Sequence, residues 1–242
     1  MTAPEQQQGK GPWWLALRVI DEPAEVFRQL AARPRALVPL LLVVIVTAVT
    51  AFAIPADTLR EGTRTQMEAA QERAPDRITD EDIEQRVEGA ARTTARLLIF
   101  VGQAAFMLIG LLVAAAVLML IFGAMAAEPL KFKDEFAITA HAWMPQLLGA
   151  LLIVALMRFA GMGQYQLSLG FLFSEESSPF LHQLGNQFGL FGAWNVFLLA
   201  LGNQIRVGAK GIGTPLAIVG GLWVLVNLVF AGLASFFQGL AG

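Results

Sequence analysis

Residues 97–125 read LLIFVGQAAFMLIGLLVAAAVLMLIFGAM and contain no charged side chain. About 20 apolar residues are enough for a helix to cross the roughly 30 Å hydrocarbon core of a bilayer, so this stretch predicts a membrane-spanning helix. The whole chain has a matching composition: of its 242 residues, 56% are hydrophobic and only 15% are charged, and the mean hydropathy is +0.59. A soluble domain of average composition has about 25% charged residues. The sequence therefore predicts a polytopic membrane protein.

Four further apolar stretches approach the length of a span. Together with the first, the predicted spans are about residues 36–54, 97–125, 136–156, 187–205 and 215–237. The fourth is the weakest, because three glycines and an asparagine interrupt it. It is still counted, since irregular backbone exposed to lipid could not satisfy its hydrogen bonds. The predicted fold class is all-α, with five transmembrane helices in a membrane domain of residues 36–242.

The residues before the first span divide into a tail and an amphipathic segment. Residues 1–12 are small and polar, which predicts a disordered tail. Residues 13–35 place apolar side chains at helical spacing beside charged ones, which is typical of a helix lying in the membrane interface. A signal peptide is not predicted, because the first long apolar run begins only at Ala36 and is longer than a signal h-region. The predicted interface anchors are Trp13, Trp14, Phe27, Arg33 and Arg35, with Trp223 in the same role in the last span.

Residues 56–96 are of a different kind. This stretch holds ten acidic and seven basic residues, so it is expected to lie in water. Pro75 divides it into two helix-like halves, and Thr79 followed by Asp82 resembles a capping box that starts the second half. Oppositely charged residues four positions apart support both helices. The sequence predicts an extramembrane helical hairpin between the first two spans, with its second arm continuous with the second span.

Composition and motifs also argue against several classes of function. The chain has no cysteine, which removes disulfides, thiolate metal sites and cysteine nucleophiles. A net charge of −2 leaves no basic surplus for binding nucleic acid. The segment around Lys210 lacks the glycine-lysine order and the preceding strand of a phosphate-binding loop, and Ser168 lacks the glycines of a nucleophile elbow. We expect no catalytic residue, no metal site and no cofactor, and the protein is not expected to be an enzyme.

Polar residues inside a span cost free energy and are functional candidates by default. Gln146, Asn195 and Asn227 each fall near the middle of a predicted span, where they would form one polar layer. They are interpreted either as ligands along a substrate or ion path, or as interhelical hydrogen bonds, which contribute about 0.6 kcal/mol each on average. The second interpretation is favoured because none of the three side chains is ionisable.

His141 and Pro145 are the candidates in the third span. His141 is a candidate proton relay or metal ligand, but a hydrogen-bonded histidine near the interface is favoured, because Glu135 lies six positions away and does not share its helix face. Pro145 removes a backbone donor and is expected to kink the helix. The kink is interpreted as a packing bend or as a hinge, and both interpretations stay open.

Small residues along the fourth span would let it approach a neighbouring helix closely. Contact within the chain is the favoured use, and homodimerisation stays open. The residues concerned are Gly185, Gly189, Gly192 and Ala193.

The topology is predicted from the positions of basic residues. Lys and Arg nearly balance between the two sides, but basic residues beside the first span and the acidic excess of the hairpin favour a cytoplasmic N-terminus. Five spans then place the C-terminus outside. The chain has thirteen arginines and four lysines, a weak sign of a GC-rich bacterial gene, so the predicted location is a bacterial inner membrane.

The order of these elements is similar to that of a known family. The charged hairpin and three runs resemble the Ypt-interacting-protein (Yip-type) family over about residues 13–237. The resemblance implies a five-helix membrane bundle with a cytoplasmic N-terminus. In eukaryotes it implies binding of small GTPases and a role in vesicle traffic, and in bacteria it implies association with transport complexes. The three runs are EPAEVFRQLAARPRALVPL (22–40), EFAITAHAWMPQLLGALLIV (135–154) and FGLFGAWNVFLLALGNQIRVGAKGIGTPLAIVGGLWV (188–224).

Sequence and resemblance together predict a non-catalytic scaffold or accessory subunit of a membrane transport or trafficking assembly. The lipid bilayer and a membrane-protein partner are the expected partners, with the hairpin and the N-terminal helix as the surfaces that bind the protein. The alternative is a transporter that passes a small molecule or lipid along the three amides and the Pro145 kink.

Overall fold

A computed structural model of the chain describes residues 11–159, 168–173 and 179–240. Within these ranges the protein is helical and contains no strand, which confirms the all-α prediction. The predicted tail falls largely on residues 1–10, outside the described residues, and Pro12 already begins the first helix. The helices are α1 (Pro12–Arg18), α2 (Pro23–Ala32), α3 (Leu37–Ala53), α4 (Ala56–Arg73), α5 (Asp80–Ala90), α6 (Thr93–Gly123), α7 (Phe132–Ala142), α8 (Met144–Phe159), a 3-10 helix (Leu169–Leu172), α9 (Pro179–Gln187), α10 (Leu190–Val207) and α11 (Gly213–Leu240).

Three helical segments are long and apolar enough to cross a membrane. They are Thr93–Gly123, Phe132–Phe159, which joins α7 and α8, and Gly213–Leu233 within α11. The pair α3 and α4, bent by 83° at the break between them, adds a fourth segment if the pair is counted as one span. These findings support a membrane protein with three or four candidate spans among the described residues, where the sequence predicts five.

The chain divides into two compact units, each described by itself. Unit 1 comprises Met1–Leu42, Ile109–Pro145 and Trp194–Gly220. Unit 2 comprises Val43–Leu108, Gln146–Ala193 and Gly221–Gly242.

The amphipathic N-terminal segment of unit 1 folds as two helices, α1 and α2, and the second begins at Pro23. Pro23 opens α2, because its fixed φ suits the first helical position and it has no N–H to lose there. The apolar stripe of α2 is buried, and α2 lies against α7. The prediction that Phe27 anchors the protein in the membrane interface is therefore wrong: its ring is 1% exposed and packs on protein. Arg33 and Arg35 are exposed, as an interface anchor would be.

In unit 2 the charged segment folds as two helices that contact each other, α4 and α5. Arg64 of α4 forms a 2.9 Å ion pair with Glu84 of α5. The side chain of Gln71 spans the turn and donates to Asp80 Oδ1 at 2.8 Å. The prediction that the second arm runs on into the second span is wrong, because a turn at residues 91–92 separates α5 from α6.

Arg96 joins the end of α3 to the start of α6, also within unit 2. Its Nη1 lies 3.1, 3.0 and 2.9 Å from the carbonyl oxygens of Ala51, Phe52 and Ile54. The last carbonyls of a helix have no partner within the helix, and a basic side chain is favoured at that end. Arg96 therefore satisfies the exposed end of α3 from the neighbouring helix.

Candidate functional site

A buried polar cluster lies in unit 1, where the first turn of α7 meets the last turns of α10. The backbone N–H of Lys131 donates to Asp134 Oδ2 at 3.4 Å, which fixes the first turn of α7. At the other side, α10 ends before Gly208, whose φ of +70° is the left-handed conformation that commonly terminates a helix. These two helix ends bring four polar side chains together: Asp134 and Glu135 from α7, and Asn203 and Arg206 from α10.

Asp134 and Arg206 form an ion pair. Arg206 Nη2 lies 2.9 Å from Asp134 Oδ2, and the side chain of Asp134 is only 9% exposed. A half-buried pair of this kind keeps both charges balanced, and removal of either partner would leave the other uncompensated.

Glu135 lies deeper in the same cluster, with no exposed surface. Asn203 Nδ2 donates to Glu135 Oε1 at 3.0 Å and also to the backbone oxygen of Leu199 at 3.0 Å. The second carboxylate oxygen, Glu135 Oε2, has no hydrogen-bond partner in the described part of the chain, and neither has Asn203 Oδ1. Two buried acceptors are thus unpartnered among the described residues, and so is one buried donor of the cluster, Arg206 Nε, which is unusual for buried polar groups.

His141, the predicted relay, is buried six residues further along α7, about one and two-thirds helical turns from Glu135. Its Nδ1 lies 2.8 Å from the backbone oxygen of Ala137, so this nitrogen carries the hydrogen in that bond. Its Nε2 is buried without a partner among the described residues. The ring is thus held by its own helix, and a relay role for His141 stays a prediction. Across the described residues, no group of three or more His, Cys, Asp or Glu side chains is placed to hold a metal ion.

Two of the three predicted midplane amides are engaged with backbone carbonyls. Asn195 Nδ2 donates to the carbonyl oxygen of Ala142 at 2.8 Å. Ala142 is the last residue of α7, whose final carbonyls lack partners within the helix, so Asn195 satisfies a helix end. Asn227 Nδ2 donates to Trp223 O of its own helix at 2.9 Å. Gln146 is half-buried in unit 2, and a single polar layer formed by all three stays a prediction.

Pro145 lies next to an interruption of the predicted third span. α7 ends at Ala142 and α8 begins at Met144, with Trp143 between them. Because proline has no N–H, Pro145 cannot donate to the carbonyl of His141 four residues earlier. The interruption is one residue long and lies two residues before Pro145, and both the kink and its use as a hinge stay predictions.

The predicted small-residue face of the fourth span is divided between two helices. Gly185 belongs to α9 and Gly192 to α10, while Gly189 lies between them, so the prediction that they share one helix is wrong. A Cβ added at Gly185 would lie 2.9 Å from Gly170 Cα, which shows close backbone contact with the 3-10 helix. Ala193 is exposed.

Gly192 makes room for an aromatic ring in unit 2. A Cβ there would lie 3.1 Å from Trp223 Cζ2. The Trp223 ring also packs edge-on against Phe188, with 4.6 Å between the ring centroids. These contacts give Trp223 a packing role in addition to the interface role that the sequence predicts. Trp13 is 52% exposed, as a membrane anchor would be, and Trp14 is half-buried.

Asn203 and Arg206 are not among the site residues predicted from the sequence. Their proximity to Asp134 and Glu135 could have been predicted, because alternating spans place the start of the third span and the end of the fourth on the same side of the membrane. Asp134 and Glu135 occupy the first position, and Asn203 and Arg206 the second.

The protein-family model described as the Yip1 domain matches residues 17–234. That range includes α2, the buried polar cluster and the three segments that pass as candidate spans. No curated protein and no solved structure is significantly similar to the chain.

Proposed function

The chain belongs to the Yip1 domain family, and from this membership we propose that it is a scaffold or accessory subunit of a membrane transport or trafficking assembly. Membrane proteins of the family are associated with trafficking, and the family is not a known enzyme family. A bacterial inner membrane is the proposed location. A scaffold needs a surface outside the lipid that can bind another protein. The helix pair α4–α5 is the candidate for this surface.

We propose five spans, with α3 and α10 added to the three segments that pass on length and composition. α3 has 17 residues, which is the lower end of the range for a transmembrane helix, and none of them is charged. α10 has 18 residues, with its charged Arg206 in the last turn. An odd number of spans places the two termini on opposite sides, with the N-terminus in the cytoplasm.

The observation that carries the proposed function is the exposed, charged surface of α4 and α5. None of the side chains of α4 is buried, and α5 buries only Ile83 and Val87. An exposed ion pair between Arg64 and Glu84, 2.9 Å long, connects the two arms. A charged surface that buries little of itself is suited to binding another protein by electrostatic complementarity.

The transport alternative has less support. The side-chain nitrogen of Asn195 donates to a backbone carbonyl of a neighbouring helix, and that of Asn227 donates to a carbonyl of its own helix. Both bonds are typical of amides with a structural role. A path for substrate would need those groups to face a cavity. We expect Gln146→Leu combined with Asn227→Leu to leave the cellular phenotype intact, with Asn195 kept because it satisfies Ala142.

The scaffold proposal is tested by reversing exposed charges on the hairpin. The triple variant Glu72→Lys, Glu81→Lys and Glu88→Lys changes three exposed side chains of residues 56–90. Surface substitutions of this kind usually change stability by no more than about 0.5 kcal/mol. We expect the triple variant to keep the melting temperature of the wild type in detergent and to lose the protein that photo-crosslinks to a probe at position 85 in native membranes.

The matched control reverses exposed charges outside the hairpin, with Glu128→Lys and Lys210→Glu. We expect this double variant to retain the crosslinked partner. If the hairpin triple variant still crosslinks the same partner at position 85, and a deletion of residues 58–90 still co-purifies that partner from native membranes at wild-type yield, the hairpin is not the binding surface and the proposal is rejected.

A further inference from the structure

Glu135 is a buried acid whose charge is not balanced by its surroundings. The charged groups that face it are Asp134 beside it on α7 and Arg206 on α10. Arg206 is already paired with Asp134 at 2.9 Å, so the three groups together would carry one net negative charge. An isolated ionised carboxylate is very costly to bury in a low-dielectric interior.

The other helix that packs against α7 brings no charge to the site. The side chains that α2 buries are Val26, Phe27 and Leu30, all apolar. The charged residues of α2 lie on its other face, where Arg28 pairs with Glu25 at 3.0 Å. Lys131 and Lys133, at the start of α7, are exposed to solvent.

Several buried polar atoms around Glu135 have no hydrogen-bond partner among the described residues. Asn203 offers its Nδ2 to Glu135 Oε1, while Glu135 Oε2 and Asn203 Oδ1, both acceptors, have no partner in the described part of the chain. Two buried donors of the same cluster are also unpartnered within that part, the hydroxyl of Thr139 one turn along α7 and Nε of Arg206, and neither forms a hydrogen bond with these two oxygens. One hydrogen placed on Oε2 would turn an unpaired acceptor into a donor and give the neighbouring amide oxygen its partner.

We propose that Glu135 and Asn203 form a proton-binding site. Glu135 holds the proton on Oε2 as a carboxylic acid at neutral pH and donates it to Asn203 Oδ1, beside the existing bond from Asn203 Nδ2 to Oε1. The bound proton neutralises the cluster, so the contact between α7 and α10 depends on it. Release of the proton at alkaline pH leaves a buried carboxylate without a counter-charge and weakens that contact.

The test compares Glu135→Gln with the wild type, both reconstituted in nanodiscs. Glutamine has the size and the charge of the protonated acid, and its amide can donate to Asn203 Oδ1 in place of the acid. An unfolded glutamic acid loses its proton at about pH 4.3, whereas the folded protein keeps it, so stability falls from about that pH until the folded protein also releases the proton. We therefore expect the wild-type melting temperature to fall as the pH rises above about 4.3, and the Glu135→Gln value to be no lower than the wild type at neutral pH and to change less over the same range. Infrared spectra of the wild type at neutral pH are expected to contain a protonated-carboxyl band that is missing from Glu135→Gln.

Asp134→Asn is the matched control, because it removes the charge of the adjacent acid, which pairs with Arg206. We expect this variant to melt several degrees below the wild type at neutral pH. If Glu135→Gln falls by as much as Asp134→Asn, Arg206 neutralises both acids and the proposal is wrong. A melting temperature that depends on Na⁺ at constant ionic strength would instead identify a metal cation as the ligand.

The infrared measurement tests the proposed protonation of Glu135 even if Glu135→Gln does not fold. The wild type alone then shows whether a protonated carboxyl band is present at neutral pH and disappears on alkalinisation. Absence of that band at neutral pH overturns the proposal.

Discussion

Gly202 lies where α10 meets side chains from two other helices of unit 1. A Cβ at this position would lie 2.5 Å from Ile138 Cγ2 and 3.1 Å from Phe27 Cδ1. Both neighbours are almost completely buried, so neither can move aside freely. We therefore expect Gly202→Ala to lower the free energy of unfolding by about 1–3 kcal/mol, the usual cost of overpacking a core, as measured by thermal unfolding in detergent.

The control is Gly221→Ala in α11, where a Cβ would meet nothing within 4 Å. Alanine is favoured over glycine inside a helix by up to about 1 kcal/mol, so this variant should be neutral or slightly more stable. Equal destabilisation by the two substitutions would show that the close contact at Gly202 does not limit stability.

At the level of single residues, the sequence predicts the role of a side chain well when that role depends on residues nearby in the sequence. It predicts the role poorly when the partners are distant in the sequence. Thr79 and Asp82, three positions apart, form the predicted capping box. Glu135 and Asn203 are 68 positions apart, and no periodicity within one helix shows that they meet. Phe27 fails for the same reason: an apolar stripe buried against protein has the same pattern as one buried in lipid.

The stability of the first turn of α5 should depend on pH. Hydrogen bonds from the backbone N–H and the hydroxyl of Thr79 hold the pKa of Asp82 below its usual value. A carboxyl with a lowered folded-state pKa contributes stability above its unfolded pKa of about 4, and that contribution is lost as the pH falls through the folded value. We expect α5 to loosen in acid, seen as lower anisotropy of a fluorophore at Gln85→Cys.

Asp82→Asn should remove this acid transition, because the amide does not titrate. Glu81→Gln, a change at the neighbouring exposed acid, should leave the transition in place. An anisotropy profile that is unchanged in Asp82→Asn would show that the cap does not control the start of the helix.

At the level of elements, the sequence predicts helix content and most helix positions, because long apolar runs and charged runs have few alternative structures. Breaks are harder to predict. Trp143, two residues before Pro145, separates α7 from α8, and the kink at Pro145 stays a prediction. The turn at residues 91–92 and the gap between α9 and α10 have no proline, and they depend on contacts that the local pattern does not contain.

For the molecule as a whole, the proposed five-span topology predicts which loops are accessible from each side. The chain has no cysteine, so single cysteines report position without a background. We expect a membrane-impermeant thiol reagent to label Ala70→Cys from outside intact cells and to label Lys210→Cys only after the membrane is opened. Labelling of both positions from the same side would contradict five spans with a cytoplasmic N-terminus.

The contacts of Arg96 have a consequence for how this protein can vary. Because Arg96 binds the last carbonyls of α3 directly, the ends of α3 and α6 are held together without help from the intervening residues 56–92. A change of length within residues 57–90 would leave these three contacts in place, so we expect the two helix ends to stay paired when that stretch is shortened or extended.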